Sequence, residues 1–367
     1  MKTRYTRLCQ GMALALLACF CLSVLAVAQD SSVNDEHAVG RFVVIPPKPA
    51  APGKLPAGTL QEWNGSFTYN GTNYPYVMVG ADPSTNQGAD ITTWIVPVKV
   101  ILSDGSVWDP LSGGPASPLA LTILSPMFDR TTTYTQGGVD VGTTQYDDAF
   151  QRENFWSIVQ NNPNSHIYLG GPTSRISVLP ELTLNVPSGS GHQGKEFGVN
   201  VALVDINYYD AQVSSYMASS QTINATGNPI FLLANMYWTE GGCCIGGYHS
   251  ANGPQTYNNF TYITTPGVFS QDVSALSHEI GEWTDDPLYP HENSTPCGIL
   301  EVGDPLENGE GSGHPYGAWT YMLHGFSYHL QDLVNLKYFG GDPNEPVNGF
   351  WTFQGYTGIT RICQNGS

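Results

Sequence analysis

Two periods of apolar and polar positions run along this chain, and the change from one to the other outlines its elements. Residues 91–102 are strongly apolar and predict a strand, with Pro97 pointing to a sheet edge or a bulge. Asp104-Gly105 predicts a hairpin turn into Ser106-Val107-Trp108. Phe150, Phe155, Trp156 and Val159 recur at helical spacing, so 147–160 reads as a helix. Residues 176–186 read as a strand region and 188–194 as a flexible loop. Beyond that point the pattern becomes α/β. A strand over 197–206, a helix over 208–220 and a buried strand over 229–238 predict one right-handed βαβ unit. A Gly- and Cys-rich loop at 241–247 and a short strand near 260–264 follow. The last helical segment carries Val273, Leu276, Ile280 and Trp283 as its apolar stripe, with Ser270 as the expected N-cap, Asp272 near the positive end and Pro287 as the stop.

Composition changes this picture mainly at the N-terminus. Lys2, Arg4 and Arg7 precede an apolar run from Met12 to Val27, and Ala26-Val27-Ala28 is an A-x-A site. Residues 1–28 therefore read as a secretory signal cleaved after Ala28, which places the protein in the periplasm or outside the cell. Residues 29–57, with five prolines, read as an extended or disordered linker. What remains divides into a β-rich part, 58–190, and an α/β part, 191–367, or forms one continuous domain over 58–367.

No later run is long and apolar enough to span a membrane. The net charge of −18 argues against nucleic acid and anionic membranes as partners, and loss of a signal bearing three cations makes the remainder more acidic still. Four cysteines follow the signal. They allow three disulfide connectivities, of which Cys297–Cys363 is preferred, leaving Cys243 and Cys244 as a vicinal bridge or two thiols.

The chemistry concentrates in Ser277-His278-Glu279-Ile280-Gly281-Glu282. His278 and Glu282 are four apart, so a helix places them on one face, as two metal ligands require. Glu279 stands where a zinc hydrolase keeps its general base. Eighteen residues separate Glu282 from Glu301, which with Asp304 offers a third ligand or an orienting carboxylate for His278. Five of the nine histidines fall between 278 and 329, which fits a site in the C-terminal third. The same helix pattern also describes an ordinary solvated face. His249, in Gly247-Tyr248-His249, reads as a loop histidine with a secondary claim on the cleft.

H-E-x-x-E followed at this distance by Glu301 resembles the gluzincin branch of zinc metallopeptidases, with Glu282 standing where that family has its second His. The resemblance implies an α+β fold. In it a zincin-like catalytic domain, with a mixed twisted sheet and an active-site helix, follows the β-rich region. It also implies a divalent metal, Zn2+ with Mn2+ or Ca2+ as alternatives, on His278, Glu282 and Glu301 or Asp304. Glu279 is then the base, and Tyr328, His324, Tyr316 and His249 are the candidate oxyanion donors. Its substrate is a peptide or protein, which the strand near 260–264 could hold along the cleft edge. A longer pattern, Ser277 to Pro287, Glu301-Val302-Gly303-Asp304 and Tyr328-x-Leu330-Gln331, looks like exported bacterial proteins distantly similar to the EXORDIUM, or phosphate-induced, family. That likeness leaves room for a non-catalytic protein associated with cell-wall or other extracellular glycan.

Overall fold

A mixed twelve-stranded sheet forms the centre of the molecule. It is seen in a computed structural model that describes residues 39–49, 58–170, 176–308, 314–341 and 345–364. Its main path runs Leu182–Val186, Ala89–Leu102, Gly227–Ala234, Gln255–Tyr262, Ile245–Asn252, Met236–Thr239, Val199–Asp205 and Gly191–Glu196. Parallel and antiparallel pairings both occur along it. The sheet joins strands from either side of residue 190.

Alternation along the strands sorts side chains to two faces. Val96, Val98, Phe231, Leu233, Ala202 and Val204 pack on one face with Tyr209, Val213 and Met217 of the helix Ile206–Ser219. Ile95, Ile230, Leu232, Val201 and Leu203 face the other way, in the core shared with the motif helix, Ser274–Asp285, and the helix Tyr146–Asn154. Strands covered on both faces read as near-continuous apolar runs, which is why 91–102 stands out in the sequence.

Pro97 is neither at an edge nor in a bulge. It stands opposite Leu232 on one side. On the other it falls between residues 94–95, paired with Ser177–Val178, and residues 98–102, paired with Leu182–Val186, where no ladder bond is asked of its nitrogen. The predicted strand 229–238 is two strands, Gly227–Ala234 and Met236–Thr239. Asn235 separates them at φ 49°, a left-handed conformation that Asn tolerates well. The predicted helix 147–160 breaks at Phe155, and the predicted flexible loop 188–194 instead supplies the strand Gly191–Glu196.

The expected linker is also partly ordered. Residues 1–28 and most of 29–57 lie outside the described residues, but Arg41–Val44 is a strand paired in parallel with Ile245–Asn252. Proline counts say nothing about such a pairing, because it depends on backbone groups supplied by a distant strand. The preferred pair, Cys297 with Cys363, is at disulfide distance, and of the two alternatives for Cys243 and Cys244 the structure has the vicinal bridge.

Candidate metal centre

The motif helix is enclosed along its whole length, so its polar stripe is no solvated face. Its N-terminus differs from expectation. Ser270 donates to the Thr261 carbonyl at 2.9 Å, while the helix starts at Ser274 without a side-chain cap. At the other end Trp283 Nε1 donates to Thr256 Oγ1 at 2.9 Å and ties the helix to the strand Gln255–Tyr262. That strand has a neighbour on each side, so it offers no free edge to a peptide.

A strand supplies the residue that the motif lacks. Along Ile245–Asn252, alternation sends Tyr248 to the far face, where its hydroxyl donates to Asp210 at 3.1 Å. Gly247 and His249 then point beneath the motif helix. A β-carbon at Gly247 would collide with the Glu279 carboxylate, so the glycine makes room for that side chain. His249 Nδ1 lies 3.1 Å from Glu279 Oε2, and its Nε2 lies 3.8 Å from Glu301 Oε1.

His278 is held in the same manner. Its Nδ1 lies 2.9 Å from Gln331 Oε1, while Nε2 lies 2.9 Å from Glu282 Oε1 and 3.6 Å from Asp304 Oδ1. Gln331 is itself fixed, donating from Nε2 to the Gly303 carbonyl at 2.9 Å. Glu282 Oε1 accepts the backbone N–H groups of Gly303 and Asp304, each at 3.2 Å, which docks the 301–304 loop on the helix. The sequence spacing is therefore a real return of the chain. However, Gln331 rather than Asp304 orients His278.

The ligand-type atoms form two overlapping triads that share Glu282. One is His249, Glu282 and Glu301; the other is His278, Glu279 and Glu282. His249 and His278 are 0% exposed, Glu282 is 1% and Glu301 is 3%. Both Nε2 atoms, Glu279 Oε1 and both oxygens of Glu301 meet no hydrogen-bond partner. Among the described residues, no Lys or Arg forms an ion pair with any member.

Buried polar atoms left in this way cost about 1–3 kcal/mol each, and more when charged, unless something binds them. Burial, aided by the neighbouring His278, pushes His249 down to about 3, so the ring is neutral and can offer a lone pair. Burial lowers His278 too. It also drives Glu279, Glu282 and Glu301 well above the usual carboxylate range, and the acids raise one another further. Neutral imidazoles anchored at Nδ1 and facing crowded carboxylates are donors of the kind that could hold a metal ion.

The other expected site residues lie elsewhere. His324 faces outward and pairs with Asp129, Nε2 to Oδ2 at 3.1 Å. Tyr328 sits in the strand Phe326–Gln331, three positions before Gln331 and so on the opposite face from the side chain that holds His278. Neither joins the cluster. Asp304 stands at the rim with its side chain 49% exposed. His249 and Gln331 are the members that motif spacing misses. The pattern Gly247-x-His249, a small residue two before a histidine, would have marked His249 had 241–247 been read as running into a strand.

Phe42 of the strand Arg41–Val44 covers the outer side of His278, with ring centroids 3.9 Å apart. Gly303 also lies against the ring, and a β-carbon there would collide with His278. Gly303→Ala is expected to push the ring off Gln331 and weaken metal binding by roughly 10–100-fold, the usual cost of losing an outer-shell partner. Titration against a colorimetric chelator measures this, and unchanged affinity would refute the packing described. No family model matches the chain, and neither does any curated protein or solved structure.

Proposed function

We propose that this chain is an exported, metal-dependent hydrolase of peptide bonds, with a zincin-like pairing of an active-site helix and a mixed sheet. One observation carries the reading. Two buried imidazoles, each anchored at Nδ1, turn unpartnered Nε2 atoms toward buried carboxylates that no protein cation neutralises. His249, His278, Glu282 and Glu301 would hold the ion, with Asp304 beside them at the rim. Imidazole nitrogens mixed with carboxylate oxygens make a borderline donor set, which favours Zn2+, then Mn2+, over Ca2+. A divalent ion bound there supplies Lewis acidity toward a carbonyl and acidifies a water.

The rest of the chemistry belongs to the chain's own groups. Glu279 keeps Oε1 unpartnered beside His278 and Glu282, and burial raises its proton affinity, so it can take and return a proton at that oxygen. The enclosure excludes water from competing bonds. The leader-like residues 1–28 and the two bonded cysteine pairs support an oxidising compartment.

Metal analysis of the purified chain, paired with Glu279→Gln, tests the proposal. The variant is expected to keep its ion and to lose roughly 10²–10⁴-fold in peptide hydrolysis, the usual contribution of a positioned proton carrier. Equal rates for variant and native protein, or a native protein without metal, would sink it. The near-complete burial of the cluster favours a second reading, in which the ion is structural in a non-catalytic protein associated with extracellular glycan. A chelator would then lower the melting temperature with no activity to remove.

A further inference from the structure

A cleft of about 230 Å³ opens onto the cluster, and its lining is one-sided in charge. Glu301 contributes to its base with two unpartnered oxygens, although the residue is almost fully buried. Asp304 and Glu307 add two more carboxylates, Tyr338 and Phe339 add aromatic rings, and no Lys, Arg or His is among the lining residues. The wall is well braced. The Cys297–Cys363 bridge borders it, Cys363 N donates to the Tyr338 carbonyl at 3.1 Å, and the Tyr338 hydroxyl donates to the Gln364 carbonyl at 2.6 Å. Glu307 is fixed from the other side, where its Oε2 accepts the Phe42 N–H at 3.0 Å.

We propose that this cleft is a recognition subsite for an arginine or lysine side chain of a peptide substrate, which rests on the hydrolase reading and narrows it to basic peptides. Size, charge and wall chemistry agree on this. At about 230 Å³ the space is smaller than the roughly 300–1,000 Å³ of sites that enclose a whole small molecule, so it suits one side chain. Glu282 and Glu301 would together balance the two charges of a divalent ion. Asp304 and Glu307 then remain in excess at the mouth, and a recessed carboxylate pair focuses field on an incoming cation. Tyr338 and Phe339 in the lining would suit the apolar stem of such a side chain.

Equilibrium binding tests the subsite without turnover. The probes are three blocked hexapeptides, identical except for one central Arg, Gln or Glu. The host is the metal-loaded full chain carrying Glu279→Gln. The Arg peptide is expected to bind about tenfold more tightly than the Gln peptide and the Glu peptide most weakly, with the spread collapsing at about 1 M salt, where charge interactions are screened within ~3 Å. Glu307→Gln should shrink the Arg-over-Gln preference while leaving metal content and melting temperature in place, and Asp304→Asn should shrink it as well. Equal binding of the three peptides, no measurable binding of the Arg peptide, or a preference untouched by both substitutions would overturn the subsite. Failure of the hydrolase reading has a different signature: the native chain turns over no peptide while the Arg preference persists.

Discussion

His249→Ala is expected to strip the divalent ion from the protein as fully as His278→Ala does. No motif predicts this equality, since His249 lies outside the helix and twenty-nine residues before His278. It follows from the matching way the two rings are held. Each has Nδ1 against a side-chain oxygen, Glu279 for one and Gln331 for the other, and each turns toward carboxylates an Nε2 that makes no hydrogen bond. Removing a direct ligand should cost more affinity than the roughly 10–100-fold that an outer-shell loss costs. Gln331→Ala should therefore fall between the native protein and the two histidine variants. Metal-to-protein ratios after dialysis, with the fold checked by circular dichroism, decide the matter. Native metal retention in His249→Ala would remove that residue from the site and return the ligand set to His278, Glu282 and Glu301.

The metal-free protein is expected to be more stable in mild acid than at neutral pH, with the melting temperature at pH 7.5 roughly 5–10 °C below that at pH 4.5. Burial raises Asp285 and Asp332 from 3.8 to about 7, and it carries Asp147 and Glu153 well above their ordinary values. The sign follows from which state keeps the proton. The folded chain holds protons on these carboxyls that the unfolded chain releases. For Asp285 and Asp332 that stabilisation is complete below the unfolded pKa near 3.8 and is lost as pH rises through about 7, and Asp147 and Glu153 act in the same direction. For a fully buried group displaced this far, the linkage is on the order of 4 kcal/mol.

His249 works in the opposite sense. Its depressed pKa favours the folded state above 6.5 and loses that contribution as pH falls toward 3. His278 adds to this opposing effect. With Glu279, Glu282 and Glu301 raised as well, the buried carboxyls outnumber the two imidazoles and leave acid as the stable side. A melting temperature that climbs steadily from pH 4.5 to 7.5 in chelator would contradict the burial of these acids. Added Zn2+ should recover part of the loss at neutral pH, because an ion that binds only the folded chain stabilises it by mass action.

Short-range features were readable from the chain. The 3.6-residue period places His278 beside Glu282, and the eighteen-residue gap to Glu301 returns the chain to the same place, where Glu282 accepts two amides of the 301–304 loop. The apolar run at 91–102 lies within the longest strand of the sheet and 208–220 ends within one residue of its helix, because a strand covered on both faces and a half-covered helix leave local traces. Where those traces are weak the reading failed. Gly191–Glu196 lacks an apolar alternation and passed for a loop, and Asn235 divided what reads as one strand.

Tertiary structure decided the rest, since each remaining feature depends on groups far apart in sequence. Only the folded sheet carries His249 under Glu279, and only the Phe326–Gln331 hairpin strand delivers Gln331 to His278. The pairing of Arg41–Val44 with Ile245–Asn252 turns a proline-rich stretch into a strand that lays Phe42 on His278. The polar stripe of the motif helix looks in sequence like a face for water. Enclosure by the sheet, the hairpin and the 301–304 loop makes it a set of buried polar atoms, several without a hydrogen-bond partner, because periodicity records which residues share a face but not what covers that face.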